Sequence, residues 1–337
     1  MITLSDVIQE VLNSGAILVV DPTIMQTDPD DFLDRYGHSL DTIALVAKSR
    51  TGFTFYQSNS APKDRNSGVF FHSFCTIADN MGIKVDAFIH VHGDNFLSQN
   101  TDFRVFNSEG NAIPLYVCPS QENFSKYVAT IAQEVSRYPI NMLVLDSLMF
   151  PTKKACFCDR CRRVFASKKN IERDFSFEFL ESRTLLEDWN QYRNSFVTQT
   201  LREITDTVKN QKNIDVATII KADEETGAIS GSQESFGQNL SELAKITNKL
   251  IIHVNPWREL PDSADTPEYQ QLLSALSPIS EYTASGVQHS LYFWNIRSSE
   301  KLVIANRLKE DLRAESVFIE TSLPPDYTKR RALNLGF

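Results

Sequence analysis

Leu143-Val-Leu-Asp-Ser-Leu-Met-Phe-Pro151 is a short apolar run that ends on a carboxylate and stops at a proline. Runs of this kind, too short for a helix and apolar on both faces, mark the strands of a parallel sheet covered on both sides. Others punctuate the whole chain, giving predicted strands at 16–20, 42–47, 84–91, 142–147, 215–220, 250–255, 287–294 and 316–321. Helical patterns fall between them at 29–36, 73–81, 120–137, 173–209, 236–247, 266–283 and 300–313. This alternation predicts an α/β fold, a closed (β/α)8 TIM barrel formed as a single domain over residues 1–337. The rival, an open doubly wound sheet, carries a glycine-rich phosphate turn after its first strand. This chain has Asp21-Pro22-Thr23 there, and no Gly-x-Gly-x-x-Gly or Walker loop anywhere.

Two connections are too long to be simple turns. The first, 93–119 after the third strand, holds a hairpin pattern over 103–117 with Glu109-Gly110-Asn111 as its turn. The second, 150–172 after the fourth strand, holds Cys156-Phe-Cys-Asp-Arg-Cys161. Cysteines this close pair poorly with one another, whereas a zinc ion held by thiolates at about 2.3 Å accepts such a clip and needs one more ligand. Cys118, in Tyr-Val-Cys-Pro, is the natural fourth. The spacing therefore predicts a structural Zn²⁺ on Cys118, Cys156, Cys158 and Cys161, closed to water and stapling the two long loops beside the barrel mouth. The alternative is a set of reduced thiols on a surface loop. Cys75, within Ser73-Phe-Cys-Thr-Ile-Ala, is predicted to be a buried free thiol.

With 337 residues and 42% hydrophobic content the chain can bury a large core. Its net charge of -9 and its short, scattered basic pairs at 153–154, 162–163 and 330–331 argue against a nucleic-acid partner. The first residues lack a basic segment followed by an apolar core, and no uncharged apolar run is long enough to cross a bilayer. A cytoplasmic, membrane-free protein is the expectation, and a thiolate metal site agrees with a reducing compartment.

Candidate chemistry gathers at the strand ends, where barrel enzymes place their sites. Asp146 ends the fourth strand and Glu320 the eighth; the bland alternatives are a turn cap for the first and an outward-facing acid for the second. The third strand closes as Phe88-Ile-His-Val-His-Gly-Asp94, so His90 and His92 are expected to share a face, with Asp94 just beyond. The sixth ends with His253-Val-Asn255-Pro-Trp257 and the seventh with Trp294-Asn295. Histidines, amides and aromatic rings beside acids suit a carbohydrate or other small-molecule substrate, with His90, His92, Asp94, His253, Asn255, Trp257, Trp294 and Asn295 as binding residues. Lys221-Ala-Asp-Glu-Glu225 reads as a solvated loop.

The stretch Tyr116-Val-Cys-Pro-Ser-Gln-Glu, Tyr127, and Tyr138 through Pro151 resembles glycoside-hydrolase-like (β/α)8 barrels of an uncharacterised bacterial and archaeal type. Cys118 and the 156–161 clip are similar to the zinc-binding cysteines of glycoside hydrolase family 42, the β-galactosidases; the resemblance spans 84–165. It implies a glycosidase-like hydrolase with a structural zinc, and it sets Asp146 at the position of that family's acid/base glutamate. The family has Asn-Glu where this chain has Leu145-Asp146, and a nucleophilic glutamate where this chain has Trp294-Asn295. That leaves retaining and inverting chemistry both open: a retaining pair stands about 5 Å apart, and an inverting pair, Asp146 as acid and Glu320 as base, stands wider. Two alternatives stand beside it: a metal-dependent hydrolase using His90, His92 and His253 with Asp146, and a catalytically inactive sugar-binding barrel.

Overall fold

The computed structural model describes residues 4–23, 27–121, 123–247, 249–254, 260–283, 286–294, 296 and 298–321. Its strands in chain order are β1 (Ile17–Val20), β2 (Thr42–Lys48), β3 (Lys84–His90), β4 (Arg104–Phe106), β5 (Ala112–Val117), β6 (Met142–Asp146), β7 (Asp215–Lys221), β8 (Lys249–His253), β9 (Gln288–Trp294) and β10 (Val317–Glu320). β4 and β5 form the antiparallel hairpin expected in the first long connection, with Gly110 in the left-handed region (φ +82) at its turn. The other eight close a parallel barrel in the order β1-β10-β9-β8-β7-β6-β3-β2. The predicted (β/α)8 architecture is therefore the observed one.

Register settles which side chains face inward. Phe88 on β3 meets Tyr292 and Phe318 across the barrel, at ring-centroid distances of 6.2 and 5.9 Å. Because facing alternates along a strand, Asp86 and His90 share the interior face of β3 with Phe88. Their partners in register, Met142, Val144 and Asp146, do so on β6. The same rule puts Lys221, His253, Tyr292 and Glu320 on the interior faces of β7 to β10. The middle of the barrel is thus filled by aromatic and branched apolar groups, and its upper layer, at the C-terminal ends of the strands, is polar. Truncating Phe88, 2% exposed, would remove about 3–5 kcal/mol of packing.

Local chemistry sets the helix boundaries. Asp28, Thr266 and Ser298 cap helices Pro29–Tyr36, Pro267–Leu276 and Ser299–Leu312, and two of these begin with proline, whose missing N–H has no partner to lose there. The helix predicted over 236–247 is two, Ser232–Phe236 and Leu240–Ala244, divided at Gly237 (φ +71). That over 266–283 divides likewise before Pro278, into Pro267–Leu276 and Ile279–Thr283. The long helix predicted over 173–209 is Phe177–Ser182 followed by Leu186–Gln211, and helices Leu4–Asn13, Asn95–Ser98 and Asp159–Lys169 were not expected. No helix among the described residues is long and apolar enough to cross a membrane.

Candidate active site

Asp146 is the centre of the upper layer. It is 8% exposed, and its Oδ2 lies 3.0 Å from Nδ1 of His90, its register partner on β3. The Arg50 guanidinium, carried on the loop after β2, reaches the same oxygen at 3.9 Å. Oδ1 accepts the backbone N–H of Ser147, a residue with φ +55 that turns the chain sharply off the strand. Burial by itself would raise the Asp146 carboxyl, but His90, Arg50 and His253 together hold it well below the usual carboxylate range. Asp146 is accordingly an anion at any pH near neutral.

Across the barrel, Glu320 accepts a hydrogen bond from the Tyr292 hydroxyl and pairs in register with the half-buried Trp294. Burial pushes the Tyr292 phenol well above its ordinary value, and the charges of Glu320 and Asp146 push it further, so Tyr292 keeps its proton and faces both acids. His253 packs edge-on against Tyr292 at 4.7 Å between ring centroids. Burial lowers its pKa to about 3, with Lys221 and Arg50 contributing and Asp146 opposing, so the imidazole is neutral. Its Nε2 has no hydrogen-bond partner among the described residues. Lys221 completes the ring, ion-paired to Glu224 at 2.6 Å and lying over the Phe236 ring at 4.6 Å. The loop that follows is built rather than merely solvated, since Asp223 accepts from Thr226 and Ser235.

Of the residues expected at the site, the mouth brings together Asp146, Glu320, His90, His253 and Trp294. His92 does not join them. It is fully buried, stacked on Phe124 at 5.2 Å, with Nδ1 accepting from the Met149 N–H, and burial lowers its pKa to about 3. The shared face inferred for His90 and His92 fails because the strand ends at His90 and two-residue alternation ends with it. Asp94 is likewise elsewhere, buried in an ion pair with Lys48 at 2.9 Å and capping helix Asn95–Ser98 through the Leu97 N–H. Asn255, Trp257 and Asn295 lie outside the described residues. Arg50, Tyr292 and Lys221 were missed; the period-2 rule run back from Trp294 would have found Tyr292.

Cys118, Cys156, Cys158 and Cys161 do converge. Their four sulfurs lie within 4.8 Å of one another, with Cys118 at 3.7 Å from Cys158 and 3.6 Å from Cys161. A disulfide needs about 2.0 Å, and all five cysteines are free. Tetrahedral thiolates at about 2.3 Å from a metal would stand roughly 3.8 Å apart, which these separations fit. The Ser120 hydroxyl lies 3.1 Å from Cys118 and 3.0 Å from Cys161, a neighbour that orients both. Among the described residues this is the cluster of His, Cys, Asp and Glu able to hold a metal ion, and the histidines at the mouth form none. The backbone bond from Phe157 to Phe106 and the bridge between Asn107 and Ala155 tie the same two loops together. Arg193, buried beneath the quartet, donates to carbonyls of Thr152, Glu234 and Ser235 and so joins them to the loop after β7. Cys75 is buried as expected, its thiol pushed up to about 12 by desolvation.

No protein-family model matches the sequence, and no curated protein matches it either. Solved structures do resemble the fold. The glycoside hydrolase domain of PgaB (BpsB) from Bordetella bronchiseptica superposes with a TM-score of 0.68 at 13% identity, over 93% of this chain and 94% of that one. The catalytic domain of beta-amylase from Paenibacillus polymyxa gives 0.62 at 12% identity, over 94% and 97%. The beta-galactosidase from the psychrophilic Marinomonas ef1 gives 0.59 at 10% identity, over 90% of this chain and 53% of that one. At such identities the likeness is one of fold, a closed (β/α)8 barrel that these glycan-processing structures share with this chain.

Proposed function

We propose that the protein is a glycoside-hydrolase-like enzyme that binds a carbohydrate or glycoconjugate at the C-terminal mouth of the barrel. The observation that carries this is the placement of two carboxylates, Asp146 and Glu320, on interior positions of β6 and β10, strands that lie opposite each other in the ring. Hydrolysis of a glycosidic bond is commonly carried by two carboxyl groups flanking the bond, and we read this pair as inverting, with room for water between. Asp146 was expected to donate the proton. Its charge, held by His90 and Arg50, suits it instead to activate water or to face the positive charge that grows on the sugar ring. Glu320, across the ring, is then assigned the donation to the leaving oxygen, a role that only its protonated form can fill. Neutral His253, whose Nε2 has no partner among the described residues, and Trp294 would hold the sugar.

The metal on the cysteine quartet is zinc in this reading, structural and without a water ligand; it braces the loop wall and takes no part in the reaction. His92, turned away from the mouth, leaves a metal-dependent mechanism short of one ligand in the set His90, His92, His253 and Asp146. The test is a panel of aryl glycosides and polysaccharides offered to the wild type, Asp146→Asn and Glu320→Gln. Hydrolysis by the wild type with at least a hundredfold loss in each variant, and unchanged circular dichroism, is the expected result. Sugar binding without turnover in the wild type would support the inactive barrel, and full activity in Asp146→Asn would remove that residue from the chemistry.

A further inference from the structure

Lys48 and Asp94 form an ion pair at 2.9 Å with both side chains completely buried, and the reaction just proposed has no use for either. A pair of this kind is a weak source of stability, because removing two charges from water costs about as much as their attraction returns. What it does here is geometric. Lys48 Nζ also donates to the main-chain oxygen of His90 at 2.9 Å, at the residue whose ring holds Asp146. The other lobe of Asp94 accepts from the Leu97 N–H and opens the short helix Asn95–Ser98. The first two amides of that helix, on Asn95 and Phe96, donate to the carbonyls of Arg50 and Thr51.

Gly52 fits this arrangement. It has φ +92, and a Cβ there would stand 2.3 Å from Asp94 Oδ1 and 2.7 Å from Phe96 Cβ, so only glycine lets the Arg50 loop lie against the pair. Strand β2 shifts register between Val46 and Lys48, an irregularity that accompanies Lys48's inward turn. We infer that the Lys48–Asp94 pair is a positioning device, which sets His90 from one side and Arg50 from the other so that both meet Asp146. The inference rests on the proposed role of Asp146, yet it can be tested without any substrate.

The experiment is ring ¹⁵N NMR of His90, assigned by His90→Gln, in the wild type, in the apolar replacement Lys48→Met/Asp94→Leu, and in Asp94→Asn. An Nδ1–H bonded to the Asp146 carboxylate predicts the Nδ1-protonated tautomer in the wild type. Loss of that tautomer in the double variant, while its urea midpoint stays at or above the wild-type value, is the expected result. The same tautomer and the same proton-exchange rate in a stable double variant would overturn the inference, leaving the pair with a structural role only. Should the double variant fail to fold, Asp94→Asn decides: the amide keeps the shape and can still cap Leu97, so a folded Asp94→Asn protein with an unaltered His90 signal overturns the inference, and one with an altered signal supports it. Neither outcome depends on whether Asp146 hydrolyses a glycoside, so a failure of the positioning idea is separable from a failure of the functional reading.

Discussion

Asp86 and Asp146 stand at opposite ends of the barrel on neighbouring strands, both buried, and their surroundings drive them in opposite directions. Asp86 lines a cavity of about 250 Å³ at the N-terminal end, with Lys84, Asn141, Lys249 and Glu315 among its neighbours. There burial wins. It pushes the Asp86 carboxyl up to about 6, although Asn141, which donates to it at 2.8 Å, and Lys249 pull the other way. Lys249 is engaged by Glu315 at 3.2 Å, and Ser290 bonds Ser316 at 2.9 Å, so the polar groups of the lower mouth largely satisfy one another. At the upper mouth burial loses, because His90 and Arg50 are aimed at Asp146 itself. Depth alone therefore does not tell which acid is poised for chemistry; the company it keeps does.

The sharpest way to break this contrast is by turnover. Once a substrate is in hand, Asp146→Asn should lower kcat by about 10²–10⁴-fold, whereas Asp86→Asn should leave it unchanged; equal losses would erase the distinction between the two mouths. Next in size is the single substitution Lys48→Met, which strands a buried Asp94 charge and should cost about 3–5 kcal/mol in urea denaturation. A loss below about 1 kcal/mol would show that Asp94 finds other compensation.

The two acids also have opposite linkage to pH. Asp86 binds its proton more tightly folded, near 6, than unfolded, near 3.9, so its contribution is greatest at and below pH 4 and fades as the pH rises through 6. Asp146 is lowered in the folded protein, so its contribution is present above about pH 4 and lost in stronger acid. Between pH 4 and 7 the variant Asp86→Asn should thus flatten the stability curve, by on the order of 2 kcal/mol, while Asp146→Asn leaves that slope intact. Denaturation midpoints across this range provide the check.

Smaller and more local is the effect of the metal. Chelation, or Cys158→Ser, should speed hydrogen exchange in 93–119 and 150–172 well before it touches the barrel strands, because the quartet joins loops and no strand hydrogen bond depends on it. Global unfolding on chelation would mean that the upper mouth is held by the metal rather than by the ring. The least effect of all is expected at Cys75, whose burial should keep it unlabelled by thiol reagents until the chain unfolds.

The ring was legible because doubly covered strands are written as unbroken apolar runs, and Met142–Asp146 is one of the plainest. Helix ends were legible where a cap or proline marked them, as at Asp28-Pro29, and blurred where a left-handed glycine divided one helical pattern into two, as at Gly237. Helix Asp159–Lys169 escaped because its turns are mostly charged and its cysteine invited reading the whole stretch as a loop. At the site, strand-end residues were readable and loop residues were not. Arg50 sits in Ser-Arg-Thr-Gly, a sequence with no periodicity, and tertiary contacts, among them the backbone bonds from Asn95 and Phe96 to its loop, bring it to Asp146. His92 and Asp94 were misplaced for one reason: both lie past the end of β3, where the chain's direction is set by tertiary contacts.

The register that closes the ring has a consequence for how the molecule comes into being. β10 inserts between β9 and β1, pairing Phe318 with Ile17 and Glu320 with Val19, so the seam joins segments about 300 residues apart. Contacts of such separation carry a high loop-closure cost and form late, whereas the cysteine quartet and the Asp146–His90 pair draw only on residues between 90 and 161. During synthesis, then, the first half of the chain can bring together its cysteine quartet and one acid while it is still an open, edge-exposed sheet. The opposing acid arrives with the strand that shuts that sheet, so no partly made barrel carries both, and the facing pair and protection of the last open edges are acquired in one step.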